Sequence, residues 1–420
     1  MLKASSGDLG LFHDALPPEI WLKVFPELPF ESLPAVTLTC RLFRWMAQPL
    51  MFSVFDISPF FLNNGSERPA LRPKEYLDRT IQRLDFFCSK RIAPAVKHCW
   101  ISPYSPTHRF EPYNGEFRVA PGLIIDVTVK ALPQFPNLRK LSWHCSDMIP
   151  QWWTVIERLP LKSMWLNSSC TVETTGPSQL TIEFLDLDRW AWQGGTTDHD
   201  SMYELRSPGV SQSLMSLVIH PDHIQRISVA RNDTGRRLLS TIAAMDMLRC
   251  LRILSIPVAA TTSISFIPAL IQCPNLEELR LLSTVFDPVQ DHPITLQPST
   301  LPSLAVYEGP YTHILTFASG RPLRSVILWG YDDYPLCDPD LLLDALYRLS
   351  MLDIRLESLN LSVTHLTNNI LANLVLFPWL ISVAIESVDA SLLFSSLTVC
   401  LSVTNLTSTD CSEGIIRCST

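Results

Sequence analysis

One hydrophobic pattern recurs along most of the chain: an apolar residue, two positions of any kind, a second apolar residue, one position of any kind, and a third apolar residue. It occurs at Leu138, Leu141 and Trp143, at Leu161, Met164 and Leu166, and at Ile182, Leu185 and Leu187. Further copies stand at Leu214, Leu217 and Ile219, at Leu251, Leu254 and Ile256, and at Leu276, Leu279 and Leu281. A weak copy at Leu304 and Tyr307 precedes Leu323, Val326 and Leu328, then Leu356, Leu359 and Leu361, then Leu380, Val383 and Ile385. Earlier copies fall at Phe52, Phe55 and Ile57 and at Val96, Cys99 and Ile101, and a degenerate one at Leu401 and Leu406. The last two apolar residues of each copy are two apart, the period of one strand face, and the first marks the turn into the strand. Such a strand buries one face and leaves alternate side chains open. A single copy cannot cover its own apolar face, so copies must stack.

Helical patterns lie between the copies. Residues 76–88 place Leu77, Ile81, Leu84 and Cys88 on one face. Residues 338–352 open on Asp-Pro-Asp and align Leu342, Ala345, Leu346 and Leu349. Residues 263–272 and 367–376 look similar. Strand–helix alternation predicts an α/β fold, a curved solenoid with a parallel sheet inside and helices outside. This pattern resembles the leucine-rich repeat family in an irregular form. Units run from about twenty residues to over forty, where that family keeps to 20–29, and its asparagine after the last apolar residue is missing from nearly every copy.

The N-terminal region follows a different rule. Leu16-Pro17-Pro18-Glu19-Ile20 opens a helix, with proline in the first turn and Glu19 at the positive end of the dipole. Ile20, Val24 and Phe25 share a face, and Pro26 and Pro29 end the helix. Ser32 is the expected N-cap of a second helix. Its apolar residues Leu33, Val36, Cys40, Phe43, Ala47 and Leu50 form one continuous stripe, and Leu38, Leu42 and Trp45 form another. A short unit that is apolar on two sides needs either a partner or the following repeats to cover the second stripe. These residues resemble an F-box, the short segment that binds the Skp adaptor of cullin-type ubiquitin ligases. The resemblance is carried by Leu16-Pro17-x-Glu19-Ile20, Val24-Phe25, Leu28-Pro29, Leu33, Cys40-Arg41-x-Phe43-Arg44 and Met46-Ala47. Phe43 stands where that family often has tryptophan, and Pro26 where it usually has a polar residue. The resemblance implies a three-helix F-box with adaptor contacts from Leu16, Pro17, Ile20, Val24, Phe25, Leu33, Leu38, Cys40, Arg41 and Phe43.

Composition narrows the classes. The 420 residues are 47% hydrophobic and only 18% charged, as in a chain that buries a large core. A net charge of −8 argues against a nucleic-acid surface. Eleven cysteines, an odd number with no Cys-x-x-Cys, read as reduced thiols of an intracellular protein. The start lacks a signal-peptide apolar region, and the longest uncharged stretch, 358–385, carries too many asparagines for lipid. The expectation is a soluble cytoplasmic or nuclear protein with no membrane contact.

Chemistry is hard to find. No phosphate loop, dinucleotide fingerprint, zincin motif or nucleophile elbow occurs. His220-Pro-Asp-His223 reads as a solvated turn rather than a metal pair. Asp198-His199-Asp200 and Asp186-x-Asp188 invite acid–base roles, but the second pair falls on the open side of a strand. The expectation is no enzyme, no metal and no cofactor.

The expected layout is a flexible start at 1–12, the F-box at 13–57, a helical linker or first repeat at 58–89, the repeat array at 90–407 and a disordered tail at 408–420, with 391–409 read as a last incomplete unit. The expected function is substrate recognition in a Skp–cullin–F-box ubiquitin ligase, with an unidentified target protein on the open strand face. The alternative is a scaffold whose N-terminal helices only cap the solenoid. Candidate target contacts are Trp165, Phe184, Asp186, Asp188, Glu278, Arg280 and Trp329, with Lys140, His144, Asn167, Glu308 and Glu386 on the same expected face.

Overall fold

The computed structural model describes residues 16–62, 69–101, 118–144, 147–167, 171–172, 180–188, 209–283, 294–330, 339–363, 367–387 and 415–419. The chain divides into two compact units, residues 1–143 with 149–161, and residues 144–148 with 162–420. The expected copy at Leu401 and Leu406, the 391–409 unit, the segment 1–12 and Asp198-His199-Asp200 lie outside the described residues.

The first unit opens on three short helices, α1 (Pro18–Val24), α2 (Leu33–Thr39) and α3 (Arg41–Met51). Strands β1 (Val54–Ile57), β2 (His98–Ile101) and β3 (Lys140–Trp143) then alternate with α4 (Glu75–Phe87), α5 (Pro121–Ala131) and α6 (Pro150–Ile156). The three strands pair in parallel, so that Phe55, Cys99 and Leu141 form one row and Ile57, Ile101 and Trp143 the next. All six side chains are buried. Helices back them: Phe87 of α4 meets Phe55 edge-on at 5.0 Å, and Trp152 of α6 tilts onto Trp143 at 5.7 Å.

The second unit continues the scheme with β4 (Ser163–Leu166), β5 (Phe184–Leu187), α7 (Gln212–Val218), β6 (Arg226–Val229), α8 (Asn232–Ala243), β7 (Ile253–Pro257), α9 (Phe266–Ile271) and β8 (Glu278–Leu282). It goes on through β9 (Val306–Pro310), α10 (Ile314–Ala318), β10 (Ser325–Trp329), α11 (Pro339–Ser350), β11 (Ser358–Val363), α12 (Asn368–Leu374) and β12 (Ser382–Ser387). From β4 to β12 each strand pairs in parallel with the next. Parallel pairing requires a crossover between strands, which helices supply at most junctions, whereas among the described residues no helix lies between β4 and β5 or between β8 and β9. The middle apolar residues of the copies form one row: Met164, Leu185, Ile227, Leu254, Leu279, Tyr307, Val326, Leu359 and Val383. All but Val383 are fully buried.

Two expectations change here, and one weak copy finds its reason. The copy at Leu214, Leu217 and Ile219 is not a strand. It is helix α7, capped where the Ser211 hydroxyl accepts the Leu214 N–H at 3.3 Å. Its place in the ladder belongs to Ile224, Ile227 and Val229, which repeat the same spacing nearby. The tail expected to be disordered contributes a strand, β13 (Ile415–Ser419), antiparallel to β12. The weak copy at Leu304 and Tyr307 has Gly309 at its third position, opposite Leu328. A Cβ on Gly309 would lie 2.5 Å from Tyr307 Oη and 2.8 Å from Cζ. The phenol ring thus fills the space of the missing side chain. Its hydroxyl donates to the Pro310 carbonyl at 3.0 Å, and the ring stacks on Phe317.

A row of charge runs along the strand entries of the second unit. Lys162 pairs with Glu183 and Arg252 with Glu277, each one residue before its strand. Being exposed, each pair contributes about 0–1 kcal/mol, so its value is in fixing register. Farther along, Arg321 is buried and donates to four backbone carbonyls: Gln297 at 2.9 Å, Thr300 at 2.8 Å, Thr316 at 2.8 Å and Ser319 at 2.9 Å. It clasps the long β8–β9 connection to the C-terminal end of α10.

Candidate interaction surfaces

The three N-terminal helices share a small core of Phe25, Leu33, Met46 and Ala47, against which Trp21, Leu28, Val36, Leu42, Phe43 and Leu50 pack. The aromatic members interlock: Phe25 meets Phe43 edge-on at 5.1 Å, and Trp21 lies 4.8 Å from Phe43. The single helix expected over the 33–50 stripe is two helices. Cys40 is fully extended (φ −153°, ψ 170°) and caps α3, its Sγ accepting the Phe43 N–H at 3.4 Å. The Thr37 and Thr39 hydroxyls turn back onto the Pro34 and Val36 carbonyls, which weakens the end of α2 as threonines do. Arg44 Nε then ties the halves together by donating to the Thr37 carbonyl at 3.0 Å. Ser32 stands at the N-cap of α2 as expected, but it also closes a 3-10 turn and its side chain makes no capping bond.

The break sorts the residues assigned to adaptor contact. Phe25 and Leu33 are core, and Phe43 is half-buried among the aromatics. Leu16, Pro17, Ile20, Val24, Leu38 and Arg41 are exposed, and Cys40 is half-buried at the cap. Leu38 is 76% exposed and Trp45 68%, so the second stripe is largely open rather than covered. Leu42, between them, turns partly into the core. Phe30, 60% exposed at the turn before α2, lies on no periodic stripe and escaped pattern reading.

The open side of the strands carries the second surface. In the first unit, His98 Nε2 lies 2.8 Å from Ser142 Oγ, and burial, helped by Lys140, pushes the His98 imidazole down to about 4. In the second unit the open row runs through Trp165, Asp186, Ser228, Ser255, Arg280, Glu308, Ile327 and Asn360. Arg226 approaches Asp186 at 3.8 Å, while Arg280 contacts Glu278 and stands 3.5 Å from Glu308. Burial raises the Glu308 carboxyl, Arg280 lowers it, and Glu278 raises it again, with a net upward shift.

Several residues expected on this face are elsewhere. Asp188 is buried, because the chain turns left-handed there (φ 50°), and it accepts from the Thr234 hydroxyl. His144 and Asn167 are also buried, with Asn167 Nδ2 3.0 Å from His144 Nδ1. All three directly follow a strand, where the alternation of open and buried positions has ended. Trp329 is 7% exposed, too little for a surface anchor. Phe184, Asp186, Glu278, Arg280 and Glu308 stand on the face as expected, with Trp165 half-buried among them and Lys140 half-buried on the first unit's face. Glu386 lies in β12, paired with Ser362.

The His220 and His223 rings lie 4.6 Å apart, and His220 Nδ1 accepts the Asp222 N–H at 3.3 Å, as in a local turn. Among the described residues no three His, Cys, Asp or Glu side chains gather in a way that could hold a metal ion, and no helix is long and apolar enough to cross a membrane. No protein-family model and no curated protein sequence matches this chain.

Proposed function

We propose that the chain is a non-enzymatic substrate-recognition subunit of a Skp–cullin–F-box ubiquitin ligase. Its N-terminal helices would be the F-box, and its strand units a leucine-rich-repeat-like solenoid that holds a target protein. The observation that carries the reading is the pairing of an ordered motif with its burial. The aromatic and aliphatic motif residues Phe25, Leu33 and Phe43 hold the helices together, while Ile20, Val24, Leu38 and Trp45 remain outside. Exposed leucine and tryptophan on a small helical unit are what a protein interface buries. The repeat reading is supported by the in-register apolar rows. The work of such a subunit is proximity: it raises the local concentration of target near the transfer machinery, in the cytosol or nucleus. The capping alternative needs Leu38 and Trp45 to be covered, and both are more than two-thirds exposed.

The test is binding of a purified Skp-type adaptor to the full chain by calorimetry. Wild type should bind, and Leu38→Asp with Trp45→Asp should weaken binding at least about a hundredfold, the scale of paired hot spots, with an unchanged melt. A folded wild-type chain that shows no binding would sink the reading.

A further inference from the structure

The open face of the second unit distributes its charge unevenly. On β5 and β6 stand Asp186 and Arg226, and on β8 and β9 stand Glu278, Arg280 and Glu308. Between the two groups the floor is low, formed by Ser228 and Ser255, each 5% exposed. Beyond β9 the in-register open positions are uncharged: Ser325 and Ile327, Ser358 and Asn360, Ser382 and Ala384. Among the described residues, three carboxylates stand against two guanidiniums on this stretch, a net negative balance. Arg280 is shared between two carboxylates, so neither is fully neutralised. Asp186 is neighboured by aromatics as well, Trp165 beside it on β4 and Phe184 two residues before it on β5. A carboxylate next to aromatic faces suits a cation, which gains from both.

Spacing makes the arrangement specific. Neighbouring strands are about 4.8 Å apart, so Asp186 on β5 lies ~14 Å from the β8 position and ~19 Å from the β9 position. An extended chain advances about 3.3 Å per residue, so that span equals roughly four to six residues. We infer that this face takes an extended basic segment of another protein, with one Lys or Arg at Asp186 and a second, about four to six residues along, at the carboxylates of Glu278 and Glu308 that share Arg280. Small or hydroxyl residues of that segment would cross the serine floor. The inference rests on the proposed role of this face in target recognition and adds the chemistry of what it recognises. An acidic segment would meet the surplus carboxylates and be repelled.

The test titrates the full-length protein with fluorescein-labelled peptides at low ionic strength, read by anisotropy. Each peptide holds two arginines separated by about two to ten Gly or Ser residues, and a matched series holds two glutamates. Affinity should peak with about three to five residues between the arginines, fall with added salt, and be absent in the glutamate series. Asp186→Asn, and Glu278→Gln with Glu308→Gln, should each cost at least about fivefold while leaving the melt and adaptor binding unchanged. No arginine-peptide binding, no optimum in separation, equal binding by the neutralised variants, or preference for the glutamate series would each overturn the inference. Peptide binding with the expected optimum but no adaptor binding leaves the inference standing and removes the F-box reading. The reverse result removes only the inference.

Discussion

Arg321 carries a charge into the second unit and meets backbone oxygens. Burial lowers its pKa, yet four carbonyls accept from it. Replacing it with Met would leave those carbonyls without their donor, at a cost of ~2–4 kcal/mol, measurable by urea denaturation. Gly309 makes a complementary demand, since any Cβ there collides with Tyr307. Gly309→Ala should lose ~1–3 kcal/mol by overpacking, and pairing it with Tyr307→Phe should not restore the full loss, because the ring carbon at 2.8 Å remains. His98 links a residue to pH. Its folded value of about 4 lies below the 6.5 of a free imidazole, so the unfolded chain binds the extra proton between them. Stability from this group is complete above pH 6.5 and is lost as pH falls toward 4. His98→Gln should flatten that part of the stability–pH curve, and an unchanged slope would show that other groups carry it.

At the scale of elements, the strands were far more legible than the helices. A strand buried on one face repeats every second residue, and Leu138, Leu141 and Trp143 state that plainly. The spacing has one ambiguity. Apolar residues three and five apart also fit a short helix, and only the Ser211 cap distinguishes α7 from the strand that follows it. Helix α5 was hidden for the opposite reason. Its Leu-Ile-Ile-Asp-Val-Thr-Val run is rich in β-branched residues and reads as strand, but Pro121 at its start and burial of Ile124, Ile125 and Val129 hold it helical. The stripe over 33–50 was a true reading of burial and a false reading of continuity, because periodicity does not register one extended residue at Cys40. A thiol is a weak acceptor there. Cys40→Asp should cap α3 better and raise the melting temperature by the equivalent of ~0.5–1 kcal/mol; a lower value would mean the thiol's packing matters more than its capping. Of the interaction surfaces, the sequence placed the strand face through alternation and lost it where strands end, at His144, Asn167 and Asp188.

Across the whole molecule, each repeated unit is stabilised by its neighbours rather than by itself. Fully buried apolar rows run through β4 to β11, but at β12 Val383 and Leu380 are only half-buried, and Trp379 and Ile381 are 55% and 51% exposed. Native-state amide exchange should therefore be slowest in β6 to β10 and markedly faster in β12. Uniform protection along the strands would contradict nearest-neighbour stabilisation.

The clasp at Arg321 bears on how such a chain can change. Because one side chain ties Gln297 and Thr300, in the later part of the β8–β9 connection, to the end of α10, residues added or removed between Leu282 and Gln297 need not shift β9 or α10. Length can then vary outside the clasp while every side chain on the open face keeps its neighbours. Divergent relatives of this chain should align well at their strands and poorly in length, with the cation at this position preserved wherever the connection is long.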